Sequence, residues 1–253
     1  MARIIAIANQ KGGVGKTSTC VNLTFALKKR GRKVLLVDCD AQGNATSGMG
    51  VDKSKTPNMY HILTQGVQAA DCVIHTSYGD VIPTNKDLSG ASVELVDMED
   101  REYILKNALE PLRDKYDYIL IDCPPSLELL TVNALAAADG VLVPVQCEYY
   151  ALEGIADLTT TIKMINSRIN PKLEIQGIVL TMYDSRTNFS QQVADEISRY
   201  FGDKVYKTKI PRNIRIAEAP SHGKPVIAYD RISRGSAAYL KLGAELVKQV
   251  EGR

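Results

Sequence analysis

The sequence predicts a single doubly wound α/β domain over residues 1–253, with a mainly parallel sheet flanked by helices. Three observations carry this expectation. Short apolar, β-branched runs recur at residues 4–8, 33–38, 118–122, 140–145 and 175–181, the signature of strands buried on both faces. Segments of helical spacing separate them. No Gly/Ser/Pro-rich linker, repeat or low-complexity tract breaks the alternation.

The first strand, Ile4-Ile5-Ala6-Ile7-Ala8, breaks at Asn9-Gln10 into a glycine-rich turn. From Thr17 the spacing turns helical. Val21, Leu23, Phe25, Ala26 and Leu27 form an apolar face that ends at Gly31. The second strand, 33–38, runs into Asp38-Cys39-Asp40-Ala41-Gln42-Gly43-Asn44. Residues 48–78 carry a weaker pattern, with a short helix expected at 58–63 and no partner pattern for His61 or His75. A short strand at 80–83 precedes helical stretches at 88–96 and 101–112, with an acidic cluster, Glu94 to Glu102, on a solvated face. Strand 118–122 ends in Asp122, and Pro124-Pro125 stiffens the turn after it. Helices then follow at 129–138, 155–169 and 191–201, interleaved with strands at 140–145 and 175–181. The last helix, 237–250, carries Leu240, Leu242, Leu246, Val247 and Val250 as a core-facing stripe.

Composition sets bounds without naming a chemistry. At 253 residues, 45% hydrophobic and 24% charged, the chain has the composition of a soluble globular protein with an ample core. A net charge of +2 leaves any charge argument to local clusters. The five cysteines, Cys20, Cys39, Cys72, Cys123 and Cys147, are scattered without a Cys-x-x-Cys pair and read as buried small hydrophobes. The chain opens directly into a strand and has no apolar run near ~20 residues, so an intracellular location without a membrane span is expected.

The chemistry lies in the turn after the first strand. Strand, glycine loop and helix N-terminus in that order build an anion site, because side-chain-free backbone N–H groups and the helix dipole converge on one volume. In Lys11-Gly12-Gly13-Val14-Gly15-Lys16-Thr17-Ser18, Lys16 is placed to meet the β and γ phosphates of a nucleotide, and the Thr17 hydroxyl to ligate Mg²⁺. The common phosphate-loop pattern has glycine where this chain has Gln10, and a second lysine, Lys11, stands at the loop mouth. Asp38 and Asp40 end one strand and Asp122 another, on the sheet edge where open parallel sheets bind ligands. Asp122 suits a carboxylate held near Mg²⁺, and Asp38 and Asp40, flanking one residue, could both face a metal-nucleotide, with loop carboxylates capping the next helix as the alternative.

The lysine-first loop resembles the deviant Walker A motif of the ParA/MinD family of ATPases. The likeness extends over essentially the whole chain, through residues 38–44, 122–125, 144–154, 181–188, 211–213 and 218–225, and is nearest the chromosomal ParA-type branch. It implies a P-loop ATPase that uses ATP and Mg²⁺ and hydrolyses slowly unless stimulated. It implies an ATP-dependent homodimer in which Lys11 reaches the partner's phosphates. By the same resemblance Asp38 orders the Mg²⁺ shell, Asp40 positions the attacking water, and 122–125 senses the γ-phosphate. Pro211 and Asn213 would sit at the adenine; the alternative for them is an ordinary turn.

DNA is the polymer partner that the family implies, bound without sequence preference, alongside a ParB/Spo0J-type centromere-binding protein and a nucleoid-associated location. Local charge agrees: residues 199–234 hold nine Lys/Arg against three Asp/Glu. Arg186, Arg215, Lys224 and Arg234 are the candidate contacts, with a solvated basic loop as the alternative. Relatives with a helix-turn-helix domain carry it before the first strand, which here starts at residue 3, so site-specific operator binding is not expected. The mixed-charge terminus, Lys248 to Arg253, has no amphipathic apolar face and argues against membrane targeting. Three rivals remain at this level: a MinD-like positioning ATPase, a metal-cluster scaffold like the nitrogenase iron protein, and a small-molecule kinase or ligase.

Overall fold

The computed structural model describes residues 1–126, 128–148 and 151–252, with residues 151–153 described by their backbone alone. The chain runs β1 (Arg3–Ile7), α1 (Lys16–Lys29), β2 (Val34–Asp38), α2 (Asn44–Gly48), α3 (Met59–Gln65), β3 (Ile74–Thr76) and β4 (Gly79–Ile82). It continues through α4 (Leu88–Glu94), α5 (Ile104–Leu109), β5 (Tyr118–Asp122), α6 (Leu129–Ala137), β6 (Gly140–Gln146), α7 (Ala151–Arg168) and β7 (Glu174–Thr181). It closes with α8 (Asn188–Phe201), α9 (Ile214–Glu218), α10 (Val226–Tyr229) and α11 (Arg234–Glu251).

The strands form one sheet in the order β3-β4-β2-β5-β1-β6-β7. Every pairing is parallel except β3 with β4. Successive residues of a strand face opposite sides, and both sides are covered. Ile4 and Ala6 enter one apolar core with helices α3 to α8, while Ile5 and Ile7 enter the other with α1 and α11. The continuous apolar strands are the sequence consequence of that double cover. Helices α1 and α11 meet closely: a Cβ at Gly243 would stand 3.0 Å from Ala26 Cβ, so a larger residue there forces the helices apart.

The register sets up the site. Ile7 and Asp38 both lie opposite Asp122, so β1, β2 and β5 end side by side. Their loops rise from one edge, at the place where the sheet order turns about β1.

The expected elements are present with shifted ends. Helix α11 starts at Arg234, because the Ser233 hydroxyl accepts the Ser236 N–H at 3.2 Å and caps it there. The stretches 88–96 and 101–112 are each a short α-helix finished by a 3₁₀ turn. Strand β3 has no counterpart in the sequence reading, since Ile74-His75-Thr76 is short, half-exposed and without alternation. His61 completes a capping box with Asn58, and His75 pairs with Asp80 at 3.0 Å. All five cysteines are buried and unpaired thiols. Among the described residues, no helix is long and apolar enough to cross a membrane.

Candidate nucleotide-binding site

The loop between β1 and α1 is shaped by backbone needs. Gly13 (φ 74°) and Gly15 (φ 89°) adopt the left-handed conformation that side-chain-bearing residues resist. Gly15 is the N-cap residue of α1, which has no side-chain cap and no acid in its first turn. Its leading N–H groups are left for an anion. Asn9 braces the loop from below: its Nδ2 donates to the Pro144 carbonyl (2.8 Å) and its Oδ1 accepts the Lys11 N–H (3.0 Å). The Thr181 hydroxyl, at the end of β7, donates to the Val14 carbonyl at 2.8 Å.

The two lysines differ in setting. Lys16 is buried, with Nζ donating to the Lys11 carbonyl at 2.8 Å. Burial lowers its pKa, against the pull of Asp122, Cys123 and Asp40. Lys11 is one-third exposed and its Nζ lies 2.9 Å from Glu148 Oε1. Glu148 belongs to the 144–154 stretch that carried the family likeness, but nothing local in sequence joins it to Lys11. Residues 149 and 150 of that stretch lie outside the described residues.

The three carboxylates take three different states. Asp38 is fully buried and tied: the Thr46 N–H and hydroxyl both donate to Oδ2 at 2.7 Å, and the Asp40 N–H donates to Oδ1 at 3.2 Å. Burial still pushes its carboxyl up to about 6, outweighing those bonds. Asp122 is fully buried with both oxygens lacking a hydrogen-bond partner among the described residues. Desolvation first, then the charge of Asp38, holds its carboxyl well above the usual range, opposed by the nearby Thr17 hydroxyl and the Lys16 charge. Asp40 alone is partly exposed, and its Oδ1 accepts the Gln42 N–H at 3.0 Å.

Orphaned buried carboxylate oxygens are costly unless a cation or proton meets them. Two such oxygens beside the Thr17 hydroxyl and the tied Asp38 fit a hard divalent cation. No group of three His, Cys, Asp or Glu among the described residues could hold a metal alone. That suits Mg²⁺, which takes few protein ligands and fills its octahedron with phosphate and water. Asp122→Asn is therefore expected to melt at or above the native temperature in EDTA, and to lose most of the rise in melting temperature that Mg²⁺ with ATP gives the native protein. Differential scanning fluorimetry checks both halves.

A cavity of about 390 Å³ adjoins the loop at Gly15 and Ser18 and is walled by Met182, Pro211, Asn213 and Tyr239. That is the size and apolar character of a nucleoside pocket. Its wall is held to the sheet end, where the Tyr183 N–H donates to the Ile210 carbonyl (3.0 Å) and the Arg212 N–H to the Tyr183 carbonyl (3.2 Å). Asn213 also caps α9, its Oδ1 accepting the Arg215 N–H at 2.9 Å, which leaves the amide nitrogen for a base edge. Tyr239, inside the last helix, carries no local signal in the sequence, and Thr181, which opens the 181–188 stretch of the family likeness, draws no site role there because it ends an apolar strand.

The basic candidates do not all stand alike. Arg186, on the β7–α8 loop, is paired with Asp184 at 2.7 Å, and Arg215 on α9 reaches both Glu218 (2.8 Å) and Asp230 (3.3 Å). Lys224 and Arg234 are exposed, before α10 and at the start of α11. Helices α9, α10 and the start of α11 cluster together: Gly235 backs onto Ile216 and Asn213.

This fold, with a glycine loop, a buried lysine and two strand-end acids at one sheet edge, defines a P-loop nucleotide-binding protein. Residues 2–175 match the family AAA_31, described as an AAA domain. The sporulation initiation inhibitor protein Soj of Bacillus subtilis is 54% identical, the match covering 97% of this chain and 98% of that protein. The chromosome partitioning protein ParA of Myxococcus xanthus is 51% identical, covering 98% of this chain and 89% of that protein. Among solved structures, cobyrinic acid a,c-diamide synthase of Mycobacterium smegmatis, with bound ADP and magnesium, is 38% identical at a TM-score of 0.87, covering 100% of this chain and 97% of that one. The chain belongs to the ParA/MinD family of deviant Walker A ATPases.

Proposed function

We propose that residues 1–253 act as one ATPase domain and as an ATP-driven partition switch. The chain binds ATP with Mg²⁺ at the β1–α1 loop and hydrolyses it to ADP and phosphate. Gly12 to Ser18 hold the phosphates, Lys16 neutralises them, and Pro211 and Asn213 border the adenine. Bound Mg²⁺ supplies charge neutralisation at the phosphates, and Thr17, Asp38 and Asp122 are the groups that would hold it. Asp40 bears on the attacking water.

The observation that carries the switch is Lys11. A second lysine stands at the loop mouth, one-third exposed and tethered by Glu148 at 2.9 Å. It suits a group that changes partners when two subunits close face to face, each Lys11 reaching the other's phosphates. The closed dimer then holds duplex DNA through the basic surface of Arg186, Arg215, Lys224 and Arg234, without base readout, and hydrolysis releases it. Relatives named for chromosome partition support that use. In this reading a ParB-type protein is the stimulating partner and the nucleoid the location.

Phosphate release measured alone, with random-sequence duplex DNA and with anionic liposomes tests this reading. Stimulation by DNA and none by liposomes is expected. The opposite result favours a MinD-like positioning ATPase. ATP-dependent turnover of a carboxylic acid without DNA stimulation favours a ligase like the structurally similar synthase.

A further inference from the structure

Asn22 joins the phosphate loop to the basic surface by two short hydrogen bonds. It lies on α1 one turn beyond Ser18 and is 3% exposed. Its Nδ2 donates to the Ser18 carbonyl at 2.7 Å. Its Oδ1 accepts the N–H of Val226 at 2.6 Å. Val226 opens α10, two residues after Lys224. The link continues outward. The buried Ser236 hydroxyl donates to the Asp230 carbonyl at 2.6 Å and stands 3.0 Å from the Val226 carbonyl. Ser236 is in the first turn of α11, two residues after Arg234, and the Asp230 carboxylate meets Arg215 Nε at 3.3 Å.

The amide carries its donor and its acceptor on two separate atoms of one short side chain, so it can bridge both partners at once. An apolar residue would fill the space but leave the buried Val226 N–H unpaired. Ser18 belongs to the loop that the nucleotide occupies, so any movement of the first turn of α1 is handed through one rigid side chain to the segment bearing Lys224. From there it passes to the helix start bearing Arg234.

We infer that Asn22 is a positioning residue that couples nucleotide occupancy of the loop to the DNA-facing surface, with Ser236 as the second joint. This rests on the DNA-binding reading given above. It assigns the coupling to the fold of each subunit, in addition to the doubling of the surface on dimerisation.

The test is the ratio of duplex-DNA affinities with ATP and with ADP, measured by fluorescence anisotropy on a random-sequence duplex. ATP affinity, ATP-dependent dimerisation by sedimentation and melting temperature are followed in parallel. Asn22→Asp keeps the acceptor for Val226 and sets a carboxylate against the Ser18 carbonyl; Ser236→Ala cuts the outer joint. Coupling energies between sites commonly amount to ~5–150-fold. Each variant is expected to lose about ten-fold or more of the native ratio while binding ATP within about three-fold of native and still forming dimers. By reciprocity, the tightening of ATP by DNA should shrink by the same factor. A variant that folds, dimerises and keeps the native ratio overturns the inference. So does an equal weakening with both nucleotides, which is what a merely structural role gives. If Asn22→Asp does not fold, Ser236→Ala decides alone. Native protein that ignores DNA with either nucleotide refutes the functional reading in the control arm, and the coupling with it.

Discussion

Lys16→Ala is expected to lose ATP binding by about 10²-fold or more, the largest effect on ATP affinity among the changes considered. In the structure the ammonium is buried, held 2.8 Å from the Lys11 carbonyl, and positioned at the head of α1 beside Asp122 and Asp40. Its burial costs free energy that only a strong anionic partner offsets. A charge-assisted hydrogen bond is worth about 1.5–3 kcal/mol, and contact with two phosphates doubles the loss. The backbone N–H groups of the loop remain in the variant, so residual binding at millimolar ATP is compatible with the account. Titration calorimetry measures it directly. Binding within a few-fold of native would show that the phosphates lie elsewhere.

Asp40→Ala is expected to keep ATP affinity and to slow hydrolysis by roughly 10²–10⁴-fold, the usual worth of a group acting on the attacking water. The choice among three acids follows from their surroundings. Asp38 has both oxygens engaged by Thr46 and the Asp40 N–H, and Asp122 is sealed from solvent. Asp40 is partly exposed, and a single bond from the Gln42 N–H fixes its orientation. It is the carboxylate that water can reach. Single-turnover phosphate release with retained ATP checks the prediction. Native-like hydrolysis in this variant would move the role to another group.

Much of this was legible in the sequence because it rests on local rules. A glycine loop between an apolar run and a helical run fixes backbone geometry within one segment, so residues 11–18 could be read outright. Strand-end acids at Asp38 and Asp122 followed from where each apolar run stopped. The order of strands, which places those two acids opposite each other, is a long-range property, and only the register reveals it. The same holds for the tether between Lys11 and Glu148, and for the bond from Asn22 to Val226 across 204 positions of sequence. Side chains of unremarkable type, Thr46, Thr181 and Asn22, act here through partners far along the chain. Charge counting pointed to the basic stretch 199–234, but the pairing of Arg215 with Glu218 and Asp230, and of Arg186 with Asp184, is visible only once the fold is known.

The measurement that bears most directly on the central claim is binding to a random-sequence duplex with ATP, with ADP and without nucleotide, across a salt series. The account predicts binding with ATP alone, kept by Asp40→Ala and lost by Lys16→Ala. The logarithm of affinity should fall linearly with the logarithm of salt concentration, by about 0.9 for each phosphate neutralised. ATP-dependent dimers that ignore DNA, or DNA binding indifferent to nucleotide, would contradict it.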